Sequence, residues 1–274
     1  MAEDAQPFAE WIGRTSETVD QVTPRLAESF RAVFGDWLAP TERGEAPLCL
    51  HWCLSPAIAP MDALGRDGHP AKNRDLPPVP LPRRMWAGGR IETIAPLRIS
   101  DSVRRVSTIA NVTRKQGRSG ELWFVAVDHD YHSPRGLAIR ERHDIVYRAD
   151  GTSAGDGPPA EEGPVTTRRL EPSPVLLFRY SALTFNGHRI HYDLDYAIGV
   201  EGYRGLVVHG PLQATLLFNL AASCGGDAPS VFTYRGLSPA YAGNPLDVCA
   251  GADGSYWTAD AKGLVHMRAR GEAT

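Results

Sequence analysis

The sequence predicts an α+β protein made of two similar halves, each an antiparallel sheet wrapped around a helix. Three observations lead to this fold class. Strand-like segments joined by short turns run from Met85 to Arg148 and again after Val231. The segment Gly210 to Ala222 is apolar all round, which is typical of a buried helix. Between the halves lies Gly151 to Gly163, rich in Gly, Pro, Ser and acidic residues, and therefore a predicted linker.

Composition narrows the class of protein. The 274 residues suffice for one large domain or two of ordinary size, and a hydrophobic content of 42% supports a proper core. A formal net charge of -3 gives no basic excess for nucleic acid or an anionic membrane. The sequence contains no apolar run of spanning length and no signal-peptide pattern at MAEDAQPFAEW. We therefore expect a cytoplasmic protein, or a matrix protein whose transit segment has been removed.

The N-terminal half begins with a short lead-in that is helical around Phe8 to Ile12, followed by a strand at Thr15 to Val22. Thr23-Pro24 is a helix start, with an N-cap and proline at the first position, and the helix should end near Gly35 or Asp36.

Residues 54 to 84 form a loop rich in proline and glycine, and a loop of this length is usually functional or disordered. The charged and aromatic side chains at the end of this loop suit an anionic or aromatic ligand. The alternative is a solvated basic turn. The residues are Arg83, Arg84, Trp86 and Arg90.

The strands from Met85 to Arg148 form an antiparallel meander, which together with one helix is the content of a hotdog fold. The second half repeats this outline. We predict a strand at Val175 to Phe185, a short helix at Ile190 to Ala197 and a buried helix ended by Gly225-Gly226. The remaining predicted strands are Val231 to Arg235, Leu246 to Ala250, Ser255 to Ala259 and Leu264 to Arg268. The prediction is a double hotdog, with halves at 1–150 and 164–274 and a linker at 151–163.

The chemistry is concentrated in Arg179 to Ala197, RYSALTFNGHRIHYDLDYA. This stretch resembles the hydratase 2 motif of MaoC-like (R)-enoyl-CoA hydratases, roughly S/T-G-D-x-N-P-L-H-x-D. In that alignment His191 takes the position of the histidine and Asp193 that of the last aspartate. Asn186 falls where most of the family has a catalytic aspartate. The form T-F-N-x-H-R-I-H-Y-D is more similar to the branch of mitochondrial 3-hydroxyacyl-thioester dehydratases and 3-methylfumaryl-CoA (mesaconyl-CoA) hydratases.

The N-terminal half supports this branch, because LGRDGHP at 64–70 and LPPVPLPRRMWAGGR at 76–90 resemble the 3-methylfumaryl-CoA hydratases. The resemblance covers most of the chain and implies a hydro-lyase. The expected reaction is reversible hydration of an enoyl-CoA thioester, most specifically 3-methylfumaryl-CoA to citramalyl-CoA. Two alternatives stay open, a 3-hydroxyacyl-thioester dehydratase acting on carrier-protein or CoA substrates and a non-catalytic hotdog that binds acyl-CoA. A thioesterase is less favoured, because the hydratase motif is present.

The resemblance also implies roles for particular residues. His191 would be the base, and the backbone N–H of Gly210 would stabilise the thioester oxyanion. Asn186 cannot take a proton and would orient the water. The implied substrate-binding residues are Arg83, Arg84, Trp86, Arg189 and His209, with Arg189 as a candidate partner for a substrate carboxylate.

No metal or other cofactor is expected. His188 and His191 have a spacing that could seat a metal on a helix, but hydration by a histidine base needs none. Cys49 and Cys53 lack a second ligand pair nearby, so ordinary reduced thiols are the favoured interpretation. The half before the linker carries no comparable histidine motif, and we expect it to be non-catalytic. The fused pair can stand alone or form a homodimer.

Overall fold

The computed structural model describes residues 7–117, 120–150, 155–160 and 163–272. The strands of the first half are β1 (Thr15–Gln21), β2 (Arg83–Thr93), β3 (Ser102–Gly117), β4 (Gly120–Ser133) and β5 (Gly136–Arg148). Those of the second half are β6 (Thr166–Leu170), β7 (Val231–Gly236), β8 (Leu246–Ala250), β9 (Ser255–Ala259) and β10 (Val265–Glu272). The helices are α1 (Pro24–Phe34), α2 (Pro174–Thr184), α3 (Leu194–Gly199) and α4 (Gly210–Gly225).

All ten strands belong to one antiparallel sheet, in the order β1-β3-β4-β5-β2-β7-β10-β9-β8-β6. Followed outward from the centre of the sheet, the first half has the order β2-β5-β4-β3-β1 and the second half the order β7-β10-β9-β8-β6. Counted along the chain within each half, these are the same order of strands. The two halves therefore share one topology, and they join edge to edge where β2 pairs with β7. The predicted double hotdog is confirmed, and the two predicted sheets are continuous.

The core of the second half is α4, as the apolar segment predicted. Leu212, Leu216, Leu217 and Leu220 on this helix are at most 3% exposed, and α4 contacts β8, β9 and β10. Gly226 ends the helix with a left-handed conformation, φ 86°, and its N–H bonds the carbonyl of Ala222. No helix in the described ranges is both long and apolar enough to cross a membrane.

Among its described residues, the first half has no long helix in the place that α4 occupies in the second half. Its counterpart is a single 3₁₀ turn, Leu50–Cys53, at the start of the long loop. Trp52 of this turn donates from Nε1 to the buried carboxylate of Glu141 on β5, over 2.6 Å. The predicted helix α1 begins at the Thr23 cap and ends at Gly35 as expected, and it packs against α2 with the rings of Phe34 and Tyr180 5.9 Å apart.

One predicted element is wrong. Val175 to Phe185 was expected to be a strand, but Pro174–Thr184 is the helix α2. The cause is local, because the Ser173 side chain accepts a hydrogen bond from the N–H of Leu176 and Pro174 occupies the first turn. A second difference is β6, a short strand of polar sequence that the patterns did not predict.

The predicted linker is partly docked on the second half. Residues 151–154 and 161–162 of it lie outside the described residues. Within the remainder, the Pro158 carbonyl accepts from the N–H of Val265 over 2.8 Å, and Gly157 is buried against the same strand. The division of the chain into two domains at this segment stays a prediction, because β2 and β7 join the halves in one sheet.

Candidate active site

The residues of the motif lie between α2 and α3, on two short turns. After α2, Phe185 adopts a left-handed conformation, φ 51°, which reverses the chain direction. A 3₁₀ turn, Arg189–His191, follows, and Asp193 then caps α3 by accepting from the N–H of Tyr196 over 3.0 Å. Asp193, the last aspartate of the motif, therefore serves as a helix cap.

His191 is buried, with 6% of its surface exposed. Its Nδ1 lies 2.7 Å from the carbonyl oxygen of Val207. A carbonyl can only accept, so Nδ1 carries the proton and Nε2 presents a lone pair. In the described part of the chain Nε2 makes no hydrogen bond. Burial, followed by the neighbouring His209 and His188, holds the pKa of His191 well below its usual value, so the ring is a neutral acceptor.

His209 stacks on His191, with ring centroids 3.6 Å apart and planes inclined by 19°. It is fully buried, and its Nε2 lies 2.8 Å from the hydroxyl of Ser181 on α2. Burial lowers the pKa of His209 to about 3. His209 therefore supports the ring of His191 from behind, which is a positioning role, whereas the predicted contact with substrate stays a prediction.

Gly210 follows His209 and is the first residue of α4. The first N–H groups of a helix have no intrahelical partner and carry the positive end of its dipole. A Cβ on Gly210 would lie 2.7 Å from Cε3 of Trp86, so only glycine fits without displacing that ring. Trp86 stacks on Tyr234 with centroids 4.6 Å apart, and its contact with substrate stays a prediction.

Asn186 uses its side-chain oxygen locally. Oδ1 accepts from the backbone N–H of His188 over 2.9 Å, which closes the turn after α2. The amide still has its Nδ2 hydrogens and the second lone pair of Oδ1 for a water. The predicted water-orienting role of Asn186 stays a prediction.

His188 and Arg83 meet at a buried carboxylate that the sequence did not point to, Glu201. His188 Nε2 lies 3.4 Å from Oε1 of Glu201, and Arg83 Nε lies 3.3 Å from Oε2. Burial raises the pKa of Glu201, but His188 and Arg83 more than offset this, and the net pKa lies below its usual value. Arg83 is 2% exposed. The expectation that it reaches coenzyme A therefore does not fit its placement, since its guanidinium joins β2 to the segment after α3.

Arg189 is also engaged within the chain. Its Nε and Nη2 both donate to Oδ2 of Asp193, at 3.0 and 2.7 Å, and Nη1 donates to the carbonyl of Arg66. Its guanidinium also lies 4.1 Å from the ring of Tyr196. A substrate carboxylate would have to compete with Asp193 for Arg189, so this predicted contact is less favoured by the geometry.

The loop at 64–70 lies against the motif and brings two further polar side chains to it. Asp67 pairs with His69, Oδ2 to Nδ1 at 2.9 Å, and the ring of His69 lies 4.3 Å from that of His188. Within the described ranges, Asp67, His69 and His188 form the group whose ligand atoms are close enough to hold a metal, all within 4.8 Å of one another. His191 is not part of this group, and its ring lies 5.4 Å from that of His188.

Beside this loop is a cleft of ≈ 260 Å³ with a basic lining. Its charged side chains are Arg66, Asp67, Lys72 and Arg84. Arg66 pairs with Asp150, and Lys72 donates to the carbonyls of Val79 and Leu81. In the described part of the chain no carboxylate lies within ion-pair distance of Arg84, which leaves this guanidinium available for an anion.

A neutral buried histidine beside the start of a buried helix, within a double hotdog, defines a hydro-lyase of the hotdog class. The sequence comparisons agree with this class. The chain matches the family model described as hydroxyacyl-thioester dehydratase type 2 over residues 49–242. It is 42% identical over 257 residues, 92% of each chain, to mesaconyl-C(4)-CoA hydratase of Chloroflexus aurantiacus. The chain therefore belongs to the hydroxyacyl-thioester dehydratase type 2 family.

Solved structures agree on the fold. HtdX of Mycobacterium tuberculosis superposes with a TM-score of 0.67 at 16% identity, covering 95% of this chain and 100% of that one. A second M. tuberculosis protein, described as having a double hotdog fold, gives a TM-score of 0.54 at 12% identity over 95% and 96% of the two chains. These similarities concern the fold alone.

Proposed function

We propose that this enzyme catalyses the reversible hydration of an enoyl-CoA thioester, with 3-methylfumaryl-CoA (mesaconyl-CoA) as substrate and citramalyl-CoA as product. The observation that carries the proposal is the placement of His191, whose Nε2 lone pair is free and whose ring stacks on the residue preceding α4. The proposed base, His191, and the proposed oxyanion donor, the N–H of Gly210, are thereby held in a fixed position relative to each other. The 42% identity to mesaconyl-C(4)-CoA hydratase supports the substrate.

The reaction needs one proton to move from water to carbon. The thioester oxygen accepts from the N–H of Gly210, which draws electrons from the double bond. His191 Nε2 takes a proton from water as the water oxygen bonds to the β-carbon. The resulting enolate is stabilised at the start of α4, and the α-carbon then takes the proton back from His191. The base is neutral again, and one water has been added.

The basic cleft supports a dicarboxylic acyl group. Arg84 offers a guanidinium without a carboxylate partner in the described residues, and Lys72 adds positive charge to the same cleft. A carboxylate accepts two hydrogen bonds from one guanidinium, which gives both affinity and orientation. Arg84 is therefore a better candidate than Arg189 for the free carboxylate of 3-methylfumaryl-CoA.

A second function stays open, because the matching family is described as dehydrating hydroxyacyl thioesters. The same groups would run the reaction in that direction, with His191 removing the α-proton. A longer acyl chain attached to coenzyme A or a carrier protein would then be the substrate.

The test follows the loss of enoyl-thioester absorbance with 3-methylfumaryl-CoA and crotonyl-CoA. We compare the wild type with His191→Ala, Arg84→Gln and a control, His266→Ala, which lies on strand β10 and contacts the hydroxyl of Ser238 through its ring. We expect turnover of 3-methylfumaryl-CoA that vanishes in His191→Ala and survives in the control. Arg84→Gln should raise KM for 3-methylfumaryl-CoA and leave crotonyl-CoA unchanged.

Each other outcome has a distinct meaning. Turnover of crotonyl-CoA alone would move the assignment to a general hydroxyacyl-thioester dehydratase. Binding of CoA thioesters without turnover would identify a binding protein and would contradict the mechanism.

A further inference from the structure

The loop at 64–70 is clamped onto the hydratase motif. Gly68 has φ +88°, and a Cβ there would lie 2.0 Å from the carbonyl oxygen of Gly187, so the two backbones touch. The carbonyl of Asp67 accepts from the N–H of Arg189 over 2.9 Å. The loop is also closed on itself, since Gly65 N–H donates to the His69 carbonyl over 2.7 Å. His69 is therefore held beside the motif by a rigid support.

Asp67 fixes the orientation and the tautomer of His69. Its Oδ1 accepts from the backbone N–H of His69 over 3.1 Å, and its Oδ2 faces Nδ1 of the same residue at 2.9 Å. An ionised carboxylate can only accept, so Nδ1 carries the proton and Nε2 presents a lone pair. Nε2 makes no hydrogen bond in the described ranges, and the side chain is 22% exposed.

The electrostatics agree with this tautomer. Burial, followed by the charge of Arg84, lowers the pKa of His69 to about 3, so the ring is neutral near pH 7. Burial raises the pKa of Asp67, but His69 and Arg84 outweigh it and keep the carboxylate ionised. His69 is thus in the same state as His191, a neutral imidazole protonated on Nδ1 with Nε2 free.

The amide and the carboxylates of the motif are engaged or exposed. The side-chain oxygen of Asn186 is engaged by His188. Asp193 caps α3 through Oδ1 and binds Arg189 through Oδ2, and Asp195 is exposed. A water molecule can donate two hydrogen bonds. When both are accepted, the direction of the oxygen lone pair that attacks the β-carbon is fixed. One acceptor is His191, and His69, whose ring lies 4.3 Å from that of His188, offers another from outside the motif.

We propose that His69, oriented by Asp67, is a second imidazole that binds the attacking water, in place of the carboxylate that the motif lacks at Asn186. The inference rests on the proposed function and assigns part of the catalytic site to the N-terminal half. His191 accepts the hydrogen that is transferred as the oxygen–carbon bond forms. His69 Nε2 accepts a hydrogen bond from the other hydrogen, which stays on the oxygen and becomes the hydroxyl hydrogen of the product. No atom or electron beyond those of water is needed.

A metal ion is the competing use of the same atoms, since Asp67, His69 and His188 lie within 4.8 Å of one another. The surrounding charge disfavours a cation. Arg66, Lys72 and Arg84 line the adjoining cleft, and Arg83 lies beyond His188 at Glu201.

The test uses variants that keep the shape of the loop. In His69→Asn the amide nitrogen can still donate to Asp67, but the Nε2 lone pair is gone. In Asp67→Asn the amide can donate to Nδ1, which moves the His69 proton to Nε2 and removes the acceptor. His69→Ala leaves room for added imidazole. His266→Asn on β10 is the matched control, because that histidine also uses Nδ1 for a hydrogen bond, with Ser238 at 2.9 Å.

We expect kcat for hydration of 3-methylfumaryl-CoA and crotonyl-CoA to fall about 10²-fold or more in His69→Asn and Asp67→Asn, with KM little changed. Imidazole should restore part of the activity of His69→Ala, which a purely structural role would not allow. His266→Asn should match the wild type.

Wild-type kcat in His69→Asn, together with an inactive His191→Ala, would overturn this inference and leave the proposed function intact. A wild type that hydrates neither thioester would overturn both. Activity lost on treatment with EDTA, with a bound metal that is absent from His69→Asn, would overturn the inference in favour of a metal site.

Discussion

The imidazole rings of His191 and His209 lie in parallel contact, with centroids 3.6 Å apart, and both are buried. Two cations cannot be placed this close without solvent, so the pair is stable only when at least one ring is neutral. Ser181 holds His209 from α2, and Val207 holds His191 from the segment before α4. The candidate base is thus fixed by contacts from both of its neighbouring elements.

The first prediction concerns acid stability. The pKa of His209 is lowered to about 3 by burial, so the folded state binds fewer protons than the unfolded state below the ordinary histidine pKa. The free energy of unfolding is therefore undiminished above about pH 6.5 and falls as the pH drops toward about 3. For one such histidine the loss is roughly 2 kcal/mol at pH 5. Urea unfolding at pH 7 and pH 5 should show a smaller loss of stability in His209→Gln than in the wild type. Equal losses in the two proteins would contradict a neutral His209.

The second prediction concerns the hydroxyl of Ser181. Ser181→Ala removes the hydrogen-bond partner of His209 Nε2, while His209 Nδ1 already lacks a partner among the described residues. A buried polar atom without a partner costs about 1–3 kcal/mol, so the free energy of unfolding should fall by that amount. Ser223→Ala is the matched control, because Ser223 is exposed and its hydroxyl donates to the carbonyl of Asn219 in its own helix, α4. A loss no larger than in the control would mean that the contact with His209 contributes little.

The sequence predicted most of the strands and the long helices, because their patterns are local. The error at α2 has a physical explanation. Val175 and Phe178 are 66% and 65% exposed, so apolar residues occupy both faces of that helix and hide its period. The decisive signal was the cap, Ser173-Pro174, which is the same device as Thr23-Pro24 at α1. At α1 a clear apolar face accompanied the cap, and there the helix was predicted.

The residues of the candidate site were likewise predicted in part. His191 and Asn186 belong to one contiguous motif, Gly210 follows it at the start of α4, and all three were predicted as candidates. Glu201 and His69 were missed, because their importance depends on which side chains fold against them. An aspartate and a histidine two positions apart in a glycine-containing loop, LGRDGHP, were the available signal for His69. The loop comes to the motif through tertiary contacts such as those of Gly68 with Gly187 and of Asp67 with Arg189.

The third prediction tests the start of α4. In Gly210→Ala the new Cβ would lie 2.7 Å from Trp86, so the ring or the helix start must shift. Overpacking of this kind costs about 1–3 kcal/mol, and displacement of the proposed oxyanion donor should lower kcat as well. Gly225→Ala, in the same helix, meets no atom within 4 Å and should be neutral or slightly stabilising. Unaltered stability and kcat in Gly210→Ala would show that the contact with Trp86 relaxes freely.

The last prediction concerns the buried ion pair between the halves. Arg83→Met leaves Glu201 buried without the guanidinium, although His188 still faces it. Loss of one partner from a buried pair costs about 3–5 kcal/mol, since the remaining charge is desolvated. Adding Glu201→Gln removes that charge, so the double variant should recover much of the loss. Chemical denaturation of the wild type, both single variants and the double variant measures the coupling.

Arg169→Met provides the control for this cycle. Its partner is Asp247, 2.7 Å away, but the arginine is exposed and water screens the pair. We expect a far smaller effect there than at Arg83. If Arg83→Met were as mild as Arg169→Met, the desolvation of Glu201 would have to be relieved by water entering beside His188. In that case His188 should become more exposed, and the hydration rate should change together with stability.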